Sequence, residues 1–285
     1  MTRAVRASAP GKVIIVGEHF VVRDSLALVA AIDRRVKVNI IEDSDSSGVI
    51  IESNRLGEFR IPLESVEKGE IGKLKPESRP FAAAMREIAI LGYSLVPHKA
   101  VIDSSLPTSA GLGSSAATLV SYVLALTALL GDPLKGDDLF KVALAGEAEA
   151  HGKPSGIDVA ISVWGGIMAY RRDGYRRHVE SRLGNDVVLI VADTGVKRRT
   201  RDVVEHVITN AARIGVAADY IYRAADALAE IAVRSLEEGD ADTLGLVMNV
   251  SQGLLEAVGA SSRRIAEIVY AMRGLGVLGA KLTGA

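Results

Sequence analysis

The sequence predicts two α+β domains, residues 1–183 and 184–285, on three observations. Strand-like runs crowd the first third, helices and strands then follow in mixed order, and near Gly184 the chain turns from strand-rich to helix-rich. Strict β-α alternation would instead signal one doubly wound parallel sheet. The chain's 285 residues, 48% of them hydrophobic, suffice for one large core or two smaller ones. A cleft between two such domains is the expected ligand site.

The elements follow in order. Arg35–Ile41 and Val49–Ser53 read as strands, and the polar "EDSDSSG" at 42–48 reads as a hairpin loop joining them. Pro80–Leu91 has helical spacing, and "KAVIDSS" at 99–105 alternates as a strand. "SSAATLVSYVLALTALLG" is a helix with a Ser start and a Gly131 stop, and a second helix, Asp137–Ala150, is closed by Gly152. Gly166–Tyr170 and Asp186–Asp193 read as short strands. Three amphipathic helices complete the chain, at Arg199–Ile214, Asp219–Glu238 and Asp242–Val258. No internal repeat or low-complexity tract interrupts this order.

Composition removes several function classes. With 34 Lys plus Arg against 35 Asp plus Glu, the formal charge of −1 supplies no broad field for nucleic acid or a membrane surface. The apolar run in the opening "MTRAVRASAPGKVIIVGEH" is too short for a signal peptide, and "LVSYVLALTALL" is too short to span a bilayer. Without cysteine there is no disulfide, thiolate nucleophile or Cys-based zinc site, which favours a reducing cytosolic setting. The five histidines never fall three or four apart, so zinc has little support and magnesium, an oxygen-bound ion, stays open. One Gln and five Asn beside abundant Arg hint at a hot-living source.

Three stretches carry chemistry. "SSLPTSAGLGSSAAT" at 104–118 puts small residues directly before a helix, an arrangement whose backbone N–H groups suit phosphate. Its "GLGSSA" fits the loose dinucleotide fingerprint, but no second strand closed by an acidic residue follows, and no Lys-Ser or Lys-Thr completes a Walker loop. A plain glycine turn with Ser as N-cap is the competing reading. "SAPGKVIIVGEHFVV" sets Lys12, Glu18 and His19 around an apolar strand; taken singly, its Pro-Gly-Lys entry is better read as a surface turn carrying a solvated lysine. "GEAEAHGKPSGIDVAISVWGG" places Glu147 late on a helix and Asp158 in an apolar segment, where a carboxylate needs a partner or a task.

Together these stretches resemble the GHMP family of small-molecule kinases across almost the whole chain. The matching words are "GEH" at 17–19, "SAGLGSSAA" at 109–117, "HGKPSGIDVAISVWGG" at 151–166, "TGVKRRT" at 194–200 and "GAKLTGA" at 279–285. The 151–166 wording is nearest to members that phosphorylate mevalonate. Galactokinases and homoserine kinases share the glycine loop but word that segment differently. The sequence departs from the family in three places. The loop begins Pro-Thr-Ser, Ala266 stands where a Leu-Asp pair is common, and the family continues past the point matching Ala285, so the second domain is expected without its last strand.

The resemblance implies a two-domain GHMP kinase fold, with an N-terminal ribosomal-protein-S5-like α/β domain and a C-terminal ferredoxin-like α+β domain. It implies that ATP phosphates rest on Pro107, Thr108, Ser109, Ala110, Gly111, Leu112, Gly113, Ser114, Ser115, Ala116 and Ala117, with Thr283 closing the pocket. Ser115 and Glu147 are expected to hold Mg2+, directly or through water. Asp158 is expected to face the acceptor hydroxyl, with Lys12 beside both reactants. Glu18, His19, Tyr170 and Thr200, with Arg198 as a further candidate, are expected to line the mevalonate side, although "VKRRTR" at 196–201 reads equally as a solvated helix start. The resemblance admits a homodimer. Two other readings stand beside mevalonate phosphorylation: another kinase of the fold, acting on phosphomevalonate, galactose or homoserine, and a non-catalytic ligand sensor. Retention of Lys12, Glu147 and Asp158 together argues against the sensor.

Overall fold

A computed structural model describes residues 3–43, 47–107, 111–195 and 200–284. The fold is mixed α+β, and its residues gather into two compact units that do not follow chain order. One comprises Met1–Gly11, Ile32–Pro107 and Gly113–Gly165, the other Lys12–Ala31, Thr108–Leu112 and Gly166–Ala285. Two long strands, β1 (Ala4–Val16) and β2 (Ala27–Glu42), pair with each other and run through both units.

In the first unit, the later part of β2 pairs antiparallel with β5 (His98–Ser104), in register from Val36 opposite Ser104 to Glu42 opposite His98. On its other side β5 pairs parallel with β3 (Gly48–Ser53), which pairs antiparallel with β4 (Gly57–Pro62). The expected β2–β3 hairpin is therefore corrected: β5 lies between the two strands. The short α1 (Leu63–Glu67) leads toward α2 (Arg79–Ile90), and α3 (Ser114–Leu129), α4 (Gly136–His151) and α5 (Ile157–Trp164) follow. Helix α4 packs on α2, α3 and α5. Helix α3 buries Ala116, Ala117, Leu119, Val120, Tyr122, Val123, Ala125, Leu126 and Leu129, so it is apolar nearly all round and lies inside the unit.

A buried polar pair sits in that interior. The carbonyl of Val96 can only accept, so its 2.8 Å contact places the imidazole proton of His98 on Nδ1, and Nε2 accepts from the Tyr122 hydroxyl at 3.0 Å. Burial pushes the His98 imidazole below its ordinary range. The unfolded chain therefore takes up a proton at His98 as pH falls below about 6.5, while the folded chain resists. Stability from this neutral histidine is complete above that pH and is lost as pH falls toward the depressed folded value. Melting curves from pH 7.5 to 5 should show the unaltered protein losing Tm more steeply than His98→Gln; equal slopes would remove His98 from the pH response.

In the second unit, the start of β2 pairs antiparallel with β6 (Ile167–Tyr170), which pairs with β7 (Arg176–His178). Helices α6 (Thr200–Ile214), α7 (Val216–Glu238), α8 (Ala241–Ala257) and α9 (Arg263–Gly274) follow, with α7 packed on α6 and α8. Their core joins Val207, Ala211, Tyr222, Ala225, Leu255 and Val258 to Phe20 and Leu282. The Phe20 ring meets Tyr222 edge-on at 5.6 Å. Asp186–Asp193, expected as a strand, is not one: Val188 and Ile190 stand 74% and 81% exposed. β-branched residues favour a strand only where a neighbouring backbone completes the ladder. No described helix is long and apolar enough to cross a membrane.

Candidate active site

The glycine turn enters α3 as its residues require. Gly111 and Gly113 hold φ of 70° and 72°, a left-handed conformation that favours residues without Cβ. Gly113, not a serine, is the N-cap, and glycine brings no side chain to cap the helix. Ser114 and Ser115 lie inside the first turn. The first backbone bond of the helix runs from Ala117 N–H to Gly113 O at 3.0 Å, so the N–H groups of Ser114, Ser115 and Ala116 precede it. Side-chain caps do occur at α8, where Asp240 accepts from Thr243 N–H, and at α9, where Ser262 accepts from Ile265 N–H, whereas α2, α4, α5 and α7 start without one, as α3 does. The reading of this turn as an ordinary serine-capped start is thus set aside, and the uncapped N-terminus suits an anion. Pro107 is exposed and Leu112, Ala116 and Ala117 are buried. Thr108, Ser109 and Ala110 lie outside the described residues.

Ser115 turns its hydroxyl to Glu147, donating to Oε2 at 2.8 Å. Glu147 lies near the end of α4 at 5% exposure, with Nε2 of His151 one turn on at 3.4 Å from Oε1. A buried carboxylate beside a hydroxyl is a hard oxygen donor set of the kind magnesium takes. No group of three or more His, Cys, Asp or Glu side chains among the described residues forms a cage for a metal ion. Two protein donors fit an ion that completes its shell with water and phosphate oxygens.

Asp158 is the acidic residue in the first turn of α5, which Gly156 opens at φ 85°. A carboxylate there is favoured by the partial positive charge of the helix N-terminus. Its neighbours Ile157, Val159, Ala160 and Ile161 are buried while Asp158 is half-buried. The helix is fastened by Ser162, whose hydroxyl donates to Pro10 O at 3.0 Å. Four buried apolar neighbours and one tether fix where the carboxylate sits.

Lys12, Glu18, His19, Tyr170 and Thr283 belong to the second unit. Lys12 is 3% exposed, and its N–H donates to Leu112 O at 3.0 Å, tying the glycine turn to β1. The "GEH" corner is tight. Gly17 has φ 103°, and a Cβ there would lie 2.5 Å from Ala27 Cα, so only glycine fits. His19 follows at φ 61°, a conformation that non-glycine residues adopt where the surroundings impose it, often at functional sites. Glu18 is buried in an ion pair with Lys281. Tyr170, 2% exposed, stands opposite Ala27 in the β2–β6 register. Thr283 clasps β1: its hydroxyl accepts from Ile14 N–H and donates to Ile14 O, both at 3.0 Å. Thr200 opens α6, and its side chain and Arg198 lie outside the described residues.

Three supporting residues were not singled out from the sequence. Lys281 lies in the quoted "GAKLTGA" without an assigned role. Gln252, 1% exposed on α8, accepts from Leu282 N–H at 2.8 Å. Asp226 on α7 accepts from Leu26 N–H at 2.7 Å while paired with Arg171, pinning the start of β2. Each lies far along the chain from its partner, and no local spacing announces it.

Comparison with known proteins places these features in a family. Residues 80–166 match the GHMP kinases N terminal domain, and residues 232–285 match the GHMP kinases C terminal domain. A mevalonate kinase of Aeropyrum pernix is 55% identical over 286 residues, covering 100% of this chain and 86% of the relative. A mevalonate kinase of Pyrococcus horikoshii is 32% identical over 300 residues, covering 100% and 87%. Among solved structures, mevalonate kinase of L. major in complex with R-mevalonate superposes with a TM-score of 0.78 at 27% identity, over 99% of this chain and 84% of that one.

Proposed function

The chain belongs to the GHMP kinase family, alongside its mevalonate kinases, and from that membership we propose that it transfers the γ-phosphoryl group of ATP to (R)-mevalonate. The product is (R)-5-phosphomevalonate, on the mevalonate route to isoprenoids. The observation that carries this reading is 55% identity to a mevalonate kinase across the whole of this chain. Along the sequence we put the boundary of the N- and C-terminal kinase domains at 183/184, between the two matched family segments.

Phosphoryl transfer passes through a loose transition state, so the protein's work is positioning and charge stabilisation. We assign the ATP phosphates to the glycine turn and the uncapped start of α3, where left-handed glycines and first-turn N–H groups support an anion. Magnesium would be held by Ser115 and Glu147 and, when bound, would neutralise charge on the phosphate oxygens. Asp158 orients the acceptor hydroxyl and takes its proton as the new oxygen–phosphorus bond completes. Lys12 supplies positive charge to the transferring group. Glu18, His19, Tyr170 and Thr200 are assigned to the acceptor, and Thr283 to holding the C-terminal segment on β1.

Glu147→Gln removes the carboxylate charge and keeps the shape. The magnesium concentration for half-maximal rate should rise at least about tenfold while the KM for mevalonate stays within about twofold. An unchanged magnesium titration would take Glu147 out of the metal site.

ADP release measured with mevalonate, phosphomevalonate, galactose and homoserine tests the acceptor. Mevalonate should give the highest kcat/KM by a factor of about 100 or more, the scale at which buried polar groups reject a poorly matched substrate. Turnover with another acceptor and none with mevalonate would overturn the assignment.

A further inference from the structure

The mechanism gives Glu18 to the acceptor but leaves its buried ion-pair partner, Lys281, without a task. Lys281 and Glu18 lie 263 residues apart in sequence, and their side chains are 2% and 1% exposed. Lys281 Nζ donates to Glu18 Oε1 and to Leu282 O. Oε2 of Glu18 is buried and has no hydrogen-bond partner among the described residues. A carboxylate oxygen shut away from water without a donor is costly, and such orphans call for an explanation. The surroundings are rigid. Glu18 sits between the close-packed Gly17 and the left-handed His19, while Leu282 and Thr283 are tied to Gln252 and Ile14.

Two cations bear on Glu18: Lys281 from the C-terminal segment and Lys12 from β1. Burial pushes the Glu18 carboxyl up and the Lys281 ammonium down, and the pairing pulls each back toward its charged form. Lys12 opposes the charge on Lys281 and favours that on Glu18. A second ammonium placed beside Lys12 in a buried site needs a reason beyond stability, because buried ion pairs are weak stabilisers.

We propose that Lys281 is a positioning residue for the acceptor: it occupies Oε1 of Glu18 and so leaves Oε2 as a fixed, dry acceptor for a hydroxyl of the polyhydroxy acid being phosphorylated. The inference rests on the assignment of Glu18 to the acceptor side. It adds that the carboxylate works only while Lys281 holds it. Without the ammonium, Glu18 takes up a proton, and a protonated, reoriented carboxyl presents a poorer acceptor to the substrate hydroxyl.

The test combines a titration that needs no substrate with kinetics. In the full-length protein, the 13C signal of the Glu18 carboxyl, identified by its loss in Glu18→Gln, is followed with pH in the unaltered protein and in Lys281→Met. The acceptor KM is measured with whichever of the four acceptors the unaltered protein turns over, beside the KM for ATP. Expected results for Lys281→Met are an upward move of the Glu18 titration by about one pH unit or more and a rise of at least about tenfold in acceptor KM, with ATP KM within about threefold. An unmoved titration or an unchanged acceptor KM overturns the proposal. Should Lys281→Met not fold, the neutral pair Glu18→Gln with Lys281→Met removes the unpaired buried charge. That double variant should fold and keep the raised acceptor KM, and a normal KM in it would equally overturn the proposal. A protein that phosphorylates another acceptor and not mevalonate would overturn the substrate assignment alone, since the titration and KM criteria apply to any acceptor.

Discussion

Asp158→Asn should lower kcat by about 10² or more while leaving mevalonate binding within a few-fold of the unaltered protein. Asparagine preserves the size of the side chain and one of its acceptor oxygens, so the first turn of α5, opened by Gly156 and anchored through Ser162, has no cause to move. What disappears is the negative charge and the ability to take the hydroxyl proton. Loss in the transition state without loss in the ground state is the pattern expected of a group that acts on the reacting atoms. Calorimetric titration with mevalonate, beside turnover, separates the two. A variant that kept most of its kcat would return Asp158 to a structural aspartate at a helix start.

Lys12→Met carries the other large expected effect, a fall in kcat of about 10² to 10³, the scale for removing one preorganised charge from a site of charge development. Methionine keeps an unbranched stem of similar length, so the β1 backbone and the bond from residue 12 N–H to Leu112 O should persist. The change removes one of two neighbouring buried cations, and Lys281 should retain its charge more easily afterwards. Turnover and Tm are read on the same sample. A kcat within about fivefold of the unaltered value in a folded variant would mean that Lys12 is not the cation at the transferring group.

How far the sequence could be read depended on how local each signal was. Helices α3 and α4 were visible because Gly131 and Gly152 close them within the stretch that forms them. The β2–β3 connection was misread because strand order is non-local: β5, about fifty residues beyond β3, inserts between them. Asp186–Asp193 has the residues of a strand, but ladder partners cannot be seen from one segment. Helix α9 escaped notice because it buries little: of its twelve residues, Val269 is the buried one.

The candidate site divides the same way. Its chemistry-bearing words were readable, because "GLGSSA" and "HGKPSGID" each place their residues within one turn and one helix start. The bond between Ser115 and Glu147 spans 32 residues, and the Glu18–Lys281 pair spans nearly the whole chain. The first follows from the packing of α4 on α3 and the second from the return of the C-terminal segment to the corner after β1, neither of which spacing encodes.

The central claim is phosphoryl transfer to the 5-hydroxyl of mevalonate, and ³¹P NMR of a reaction holding the protein, ATP, magnesium and mevalonate tests it most directly. The account predicts a new phosphomonoester signal, coupled to the protons of the terminal carbon of mevalonate and growing in step with ADP. ADP accompanied only by inorganic phosphate, or an undiminished γ-phosphate signal with mevalonate when a parallel reaction holding phosphomevalonate, galactose or homoserine consumes ATP, would contradict it.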